Sequence, residues 1–302
     1  MSASLDALTK SVTVADGACS TQLWARGLKT DIVPETANVS APKLVGDLAR
    51  EYVAAGARFI CTNTFSANQL VLKRRGVECD VAKLNQLGAR IAQEAVADSG
   101  AVVVGTMGPS GSILMVGETP EDELTAAFAQ QAEALAACGV AALLLETFSE
   151  LAEILLAVRA VKDATGLPVI ASMSFDSGPQ RTHTMMGAEA GECAAALDDA
   201  GAAIIGCNCG RGIADVLPAV VALRSATSRP LWVKPNAGLP DLQDGLPVYT
   251  QTPEEFTAKI PTLIDAGANV IGGCCGTGPE HIRRLAALVA SRKRAAKRKK
   301  KR

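Results

Sequence analysis

The chain has 302 residues, of which 48% are hydrophobic and 20% charged, proportions typical of a globular protein. They exclude a disordered, collagen-like or low-complexity chain. No apolar run approaches the ~20 residues that a membrane-spanning helix needs. The N-terminus lacks the pattern of a secretory signal. We therefore expect a cytoplasmic protein that does not contact a membrane.

Charge is distributed unevenly along the chain. The net charge is −1, from 30 basic and 31 acidic residues. Residues 292–302 hold nine Lys or Arg and no acid, which leaves 21 basic and 31 acidic residues in the rest of the chain. An acidic body gives no support to nucleic-acid binding by the fold itself, so only the tail is a candidate contact for a nucleic acid.

Short runs of β-branched and aliphatic residues alternate with Ala-rich stretches along the chain. Continuous apolar runs of this kind predict strands that are buried on both faces. The predicted strands are 12–16, 59–62, 102–105, 142–146, 169–174, 204–208, 231–234 and 270–273. Helical spacing predicts helices that include 42–55, 81–99, 121–138, 151–165 and 253–266. Several of these helices end in an Ala-Gly or Cys-Gly pair, which predicts a glycine C-cap before the next strand.

Eight strands that alternate with helices predict a (β/α)8 TIM barrel, a single domain over residues 1–290. An open doubly wound sheet is the alternative, but no Gly-x-Gly-x-x-Gly follows the first strand to support it. Residues 291–302 form a basic tail, which we expect to be mobile because its like charges repel one another. Helical extension of the last helix is the alternative for this tail.

The C-terminal ends of the strands carry the chemistry in TIM barrels, and three thiols lie at such ends here. Cys209 ends the sixth strand, and Cys274 and Cys275 end the eighth. Three soft thiolates at one barrel mouth suit Zn²⁺ with its fourth position open. Two neighbouring ligands need an irregular backbone, which the flanking glycines permit. The alternative is a pair of small buried residues beside a glycine turn.

Five segments, in this order, resemble the homocysteine S-methyltransferase family over roughly residues 10–290. They are Asp16-Gly17, Thr62-Asn63-Thr64-Phe65, Glu146-Thr147-Phe148, Gly206-Cys207-Asn208-Cys209 and Gly273-Cys274-Cys275-Gly276-Thr277. Within this family, residues 107–111, 234–240 and 249–255 look most like the homocysteine-binding domain of cobalamin-dependent methionine synthase. The resemblance implies a zinc barrel that methylates the sulfur of homocysteine and so forms methionine.

The resemblance also implies roles for particular residues. One zinc ion would be bound by Cys209, Cys274 and Cys275. Cys207 stands at a variable position of the family motif, and we interpret it as a packing residue and a secondary candidate ligand, since it shares strand parity with Cys209. No protein nucleophile or general base at the sulfur is required. The implied substrate-binding residues are Asp16, Gly17, Asn63, Thr64, Glu146, Asn208 and Asn236.

Two of these residues, Asp16 and Glu146, are acids that would face the substrate ammonium, and helix capping is the alternative role for each. The Asn residues are also ordinary at turns.

The small number of aromatic residues bears on the identity of the methyl donor. The chain has only six Phe, two Trp and two Tyr, few for the aromatic cage that would hold betaine or S-methylmethionine. With the methionine-synthase-like segments, this favours a methyl group on a corrinoid. The chain has no cobalamin-binding module, so a partner protein would bring that corrinoid.

The sequence is also compatible with three other functions. A betaine- or S-methylmethionine-dependent homocysteine methyltransferase is the first. A non-catalytic zinc-binding barrel is the second, from a different functional class. An aldolase-type barrel with Lys234 as its catalytic lysine is the third, although the Gly-rich phosphate loop that it predicts is missing from the sequence.

Overall fold

The computed structural model describes residues 3–243 and 246–299. The strands of this part of the chain are β1 Thr13–Val14, β2 Phe59–Cys61, β3 Val102–Met107, β4 Ala142–Phe148, β5 Val169–Met173, β6 Ile204–Cys209, β7 Leu231–Pro235, β8 Pro240–Gln243, β9 Leu246–Tyr249 and β10 Ala268–Ile271. The helices are α1 Ala3–Thr9, α2 Ser20–Ala25, α3 Ala37–Ser40, α4 Pro42–Ala54, α5 Gln69–Arg74, α6 Val81–Val96, α7 Glu121–Ala136, α8 Leu151–Thr165, α9 Ala190–Asp199, α10 Ile213–Ala226, α11 Pro253–Asp265 and α12 Pro279–Lys299.

Eight of the strands form one parallel sheet, in the order β1-β10-β7-β6-β5-β4-β3-β2. A parallel bridge between Ala15 and Phe59 brings β1 beside β2, so the sheet nearly closes on itself. With helices between successive strands, the chain is a (β/α)8 TIM barrel, and the predicted fold is confirmed. Each of the eight predicted runs overlaps one of these strands. The antiparallel hairpin β8–β9, between β7 and α11, was not predicted.

Local sequence signals define where the helices begin and end. Helix α11 begins with a capping box, in which the Thr252 side chain accepts a hydrogen bond from the backbone of Glu255 and the Glu255 side chain accepts one from Thr252. At the other helix ends, the predicted glycine C-caps are confirmed, because Gly56 and Gly139 have φ of +102° and +74°. These caps turn the chain back into the next strand.

The barrel interior is apolar over most of its length. Inward-facing side chains of alternate residues form one buried cluster, which includes Phe59, Leu144, Ile204 and Trp232. The rings of Phe59 and Trp232 meet edge to face with their centroids 5.5 Å apart. Leu5 of α1 belongs to the same cluster. Helix α1 therefore closes the N-terminal end of the barrel.

Helix α12 continues without a break into the basic tail and extends to Lys299. The structure thus has the helical alternative over residues 291–299, whereas residues 300–302 lie outside the described part of the chain. The mobility of the tail stays a prediction. Among the helices described, none combines the length and the apolar character that crossing a bilayer requires.

Candidate active site

The inward-facing side of the barrel changes from apolar to polar towards the C-terminal strand ends. Glu146 follows Leu144 on the same face of β4, and Lys234 follows Trp232 on the same face of β7. These polar side chains help to line a cavity of about 230 Å³ at the barrel mouth. Its wall also includes Gly17, Cys19, Cys61, Asn63, Thr64, Thr106, Cys209, Cys274 and Cys275.

The three predicted metal ligands meet in this cavity. The sulfur atoms of Cys209, Cys274 and Cys275 all lie within 4.8 Å of one another, and Cys209 Sγ is 3.3 Å from Cys274 Sγ. Hydrogen bonds from Cys209 and Cys274 lower the pKa of Cys275 to about 3. In the described residues, no other group of His, Cys, Asp or Glu is arranged in this way. The cluster offers three soft donors to one metal ion.

The backbone at the end of β6 separates Cys209 from Cys207. Cys209 has φ of +65°, in the left-handed region that side chains other than glycine rarely adopt. This residue breaks the alternation of the strand, so Cys207 does not share the direction of Cys209. Cys207 is instead buried in the apolar layer between strands and helices. This placement agrees with the interpretation of Cys207 as a packing residue, and the left-handed residue removes the shared strand parity that made it a secondary candidate ligand.

Two asparagines that the sequence assigned to substrate binding lie behind the cavity wall. Asn208 Nδ2 donates to Cys209 Sγ at 3.2 Å and to Thr147 Oγ1 at 2.7 Å, and Asn208 Oδ1 accepts from Thr147 N at 2.9 Å. Asn236 Nδ2 donates to Gly210 O at 2.7 Å, while its buried Oδ1 has no partner among the described residues. Neither side chain lines the cavity. Asn208 instead fixes the strand end that carries Cys209.

The turn that carries Cys274 and Cys275 depends on glycine and on the unpredicted hairpin. Gly276 has φ of +80°, and a Cβ there would lie 2.2 Å from the ring of Tyr249, at the end of β9. The Tyr249 side chain also contributes to lowering the pKa of Cys275. Sequence reasoning gave Tyr249 no role at the metal ligands, because nothing local to the sequence places the hairpin over this turn.

The two candidate acids have different surroundings. Glu146 Oε2 is buried and has no hydrogen-bond partner in the part of the chain described, and burial raises the pKa of Glu146 to about 7. Asp16 Oδ1 accepts from Lys234 Nζ at 2.7 Å, and Asp16 Oδ2 accepts from Cys61 N at 2.6 Å. Glu146 is thus available to a ligand, whereas Asp16 is already paired.

The remaining predicted contacts line the cavity near the end of β2. A Cβ on Gly17 would lie 2.7 Å from Tyr52 Oη, so only glycine fits there. Asn63 Nδ2 donates to Asn38 Oδ1 at 3.0 Å, and Thr64 Oγ1 donates to a backbone carbonyl at 2.7 Å. These bonds hold both side chains in fixed positions on the wall.

Residues 13–289 match the family model described as homocysteine S-methyltransferase. The chain belongs to the homocysteine S-methyltransferase family. It is 32% identical over 308 residues to methionine synthase from Mycobacterium tuberculosis, an alignment that covers 96% of this chain and 26% of that protein. It is 31% identical over 301 residues to betaine–homocysteine S-methyltransferase 1 from Mus musculus, with 92% and 72% covered.

Comparison with solved structures also relates the chain to a homocysteine methyltransferase. The metallated form of the homocysteine methyltransferase MmuM from Escherichia coli superimposes with a TM-score of 0.79 at 25% identity, covering 94% of this chain and 99% of that one. The chain spans about a quarter of the length of the methionine synthases that it matches. It therefore corresponds to one portion of those larger proteins.

The protonation state of Lys234 argues against the aldolase-type alternative. Burial acts to lower the pKa of Lys234, but the interactions with Asp16, Cys61 and Glu146 together outweigh it, and the pKa lies well above its ordinary value. A lysine that forms a Schiff base needs a neutral amine. Lys234 is instead held as an ammonium ion.

Proposed function

We infer that the protein transfers a methyl group to the sulfur of homocysteine and so forms methionine. The observation that carries this inference is the joint placement of the three-thiol cluster and the unpaired Glu146 carboxylate in one cavity. The thiols suit a metal that binds sulfur, and the carboxylate suits an ammonium group. Homocysteine carries a thiol and an ammonium group, and membership of the family supports the assignment.

One zinc ion per chain, held by Cys209, Cys274 and Cys275, completes this proposal. The donor set fits the metal, because zinc sites with three protein ligands keep a fourth position for a substrate atom. Bound there, zinc would favour the thiolate form of the substrate at neutral pH, which is the nucleophilic form. Asn208 would keep Cys209 in its left-handed conformation, and Tyr249 would support Cys275.

We assign the substrate contacts to those predicted residues that line the cavity. Glu146 would bind the ammonium group, and Gly17, Asn63 and Thr64 would shape the wall around the carbon chain. Three predicted contacts do not line the cavity and would instead hold its wall in position: Asp16, Asn208 and Asn236. Nine free cysteines are consistent with a reducing cytoplasm, which we propose as the compartment.

For the methyl donor we propose a methylcorrinoid carried by a partner protein. The relationship to methionine synthase supports it, as does the scarcity of aromatic residues on the cavity wall. Betaine and S-methylmethionine are the alternatives, and similarity to betaine–homocysteine S-methyltransferase 1 keeps the first of them open. A zinc barrel without catalysis is the alternative of a different class.

An assay of methionine formation tests the proposal. Zinc-loaded protein is given homocysteine together with a methylcorrinoid, betaine or S-methylmethionine in separate reactions. Methionine from the corrinoid alone would support the proposed donor, and methionine from either small molecule would replace that donor. No product from any donor, despite zinc and homocysteine binding, would favour the non-catalytic barrel.

A further inference from the structure

Helix α12 has two parts that differ in composition and in packing. Its first part packs on the barrel, where Ile282, Leu285 and Val289 are buried. Beyond Val289 the helix continues to Lys299, and no apolar residue larger than alanine follows in the sequence. Residues 292–302 hold nine Lys or Arg and no acid. Burial of apolar surface therefore does not account for this second part of the helix.

The basic segment, residues 292–302, carries more positive charge than its surroundings compensate. Arg292 forms an exposed ion pair with Asp265. Arg294 and Arg298 are exposed and lie one helical turn apart, at the spacing where like charges repel each other. In the part of the chain that the structure describes, neither of them has an acidic partner. An anionic ligand would relieve this repulsion, which the fold leaves uncompensated.

The basic segment lies at the end of the barrel opposite to the candidate active site. Crossover helices run antiparallel to the strands of a TIM barrel, so the C-terminal end of α12 lies near the N-terminal strand ends. Lys293 lines an open groove of about 350 Å³ there, together with Leu8, Thr13 and Arg58. A partner bound to the basic segment would therefore leave the cavity with the three thiols open.

The composition of the basic segment favours one class of anionic partner. Helices that lie in a membrane surface insert large apolar or aromatic side chains, and contacts between proteins depend on similar anchors. The basic segment offers only Ala295 and Ala296. Nucleic acid needs no such anchor, because Lys and Arg bind its phosphates through charge and counterion release. An α-helix also fits the major groove of B-form DNA, whereas that of an RNA duplex is deep and narrow.

We propose that the basic segment binds duplex DNA through its phosphodiester backbone, without reading the base sequence. Phosphate contacts from Lys and Arg fix position and carry no sequence information. The rest of the chain is acidic, so it repels DNA and restricts the contact to this one segment. The inference is independent of the proposed function, since it involves neither the three thiols nor the cavity.

Fluorescence anisotropy of a labelled DNA duplex, titrated with the full chain, measures this binding. The dissociation constant should lie between about 1 and 100 µM at physiological salt, the range of non-specific binding. For six to eight phosphate contacts, the logarithm of the association constant should fall against the logarithm of salt concentration with a slope of about −5 to −7. Two duplexes of different sequence should bind equally well.

Variants locate the contact. Deletion of residues 292–302 should weaken binding by at least about 100-fold, because it removes nearly all of the phosphate contacts. The double variant Arg294→Gln with Arg298→Gln should make the salt slope shallower by about two. Lys83→Gln with Arg90→Gln is the matched control, since it removes two exposed cations from α6 and changes the net charge equally. This control should bind DNA as the wild type does.

Several results would overturn the proposal. Absence of DNA binding by the full chain is one, and full binding after the deletion is another. Equal weakening in the control pair would show that net charge, and not this segment, governs the interaction. Tighter binding to phosphatidylserine vesicles or to an RNA duplex of the same length would assign the segment to a different partner.

Discussion

At the N-terminal end of the barrel, apolar side chains fill the interior, and side chains of the strands donate hydrogen bonds to α1 and the residues near it. Leu5 of α1 packs among the inward-facing apolar side chains. Thr13 Oγ1 donates to Leu8 O at 2.6 Å, and Asn269 Nδ2 donates to Thr9 O at 3.3 Å. Each of these contacts ties α1 to the strands beside it, and none of them leads to a cavity that holds candidate ligands.

At the C-terminal end, the same inward-facing positions carry polar groups that the protein leaves unsatisfied. Glu146 Oε2 and Thr106 Oγ1 are buried without a partner in the described residues. Thr147 and Cys209 both have left-handed φ values, of +69° and +65°. Unpaired groups and strained backbone lower stability and persist where a ligand or metal makes use of them. The N-terminal end of the barrel therefore contributes mainly to stability, whereas the C-terminal end keeps polar groups free for binding.

The largest expected effect is loss of the metal in Cys209→Ala. Zinc content, measured by mass spectrometry after dialysis against a weak chelator, should fall from about one ion per chain to near zero, because two thiolates alone hold zinc poorly. Cys207→Ala is the matched control, two residues away on the same strand, and should keep its zinc. Zinc loss in Cys207→Ala with retention in Cys209→Ala would reverse the ligand assignment.

Leu5→Ala should lower the free energy of unfolding by about 2–5 kcal/mol, because it removes a fully buried side chain from the closed end. Urea unfolding at a fixed zinc concentration measures this loss. Leu242→Ala, at an exposed leucine of the hairpin, should change stability by less than about 0.5 kcal/mol. Zinc affinity should be unaltered in Leu5→Ala, and a clear decrease would show that the two ends are coupled.

Glu146→Gln should weaken homocysteine binding roughly 10- to 100-fold while zinc stays bound, because it removes the anion that faces the ammonium group. Calorimetry on zinc-loaded protein gives the dissociation constant. Glu150→Gln is the control, since Glu150 accepts hydrogen bonds from the backbone of the nearby 113–116 loop and does not line the cavity. Unchanged binding together with a lower Tm would mean that Glu146 has only a structural role.

Deletion of residues 292–302 should have the smallest effect. Of the contacts made by this segment, the ion pair between Arg292 and Asp265 is exposed, and pairs of this type contribute little. Zinc content, Tm and activity with a small-molecule donor should match those of the full chain. A fall of several degrees in Tm would show that the tail helix packs on the barrel.

The sequence by itself was enough for the architecture. Eight apolar runs with helical stretches between them define a TIM barrel, because burial on both faces requires continuous apolar strands and parallel strands require crossovers. The thiols of Cys209, Cys274 and Cys275 could also be placed together, since the strands of a barrel end at one mouth. These features depend on residue type and spacing, which are local properties of the chain.

Only the tertiary structure decided which polar groups pair with one another. Asp16 and Lys234 are 218 positions apart and meet because β1 and β7 both flank β10. Their pairing gives Asp16 Oδ1 a partner within the protein, and Cys61 N provides one for Asp16 Oδ2. The direction of Cys209 likewise depends on a left-handed residue that strand periodicity does not encode. Burial makes such pairings selective, because an unpaired charge in the interior costs far more than one in water.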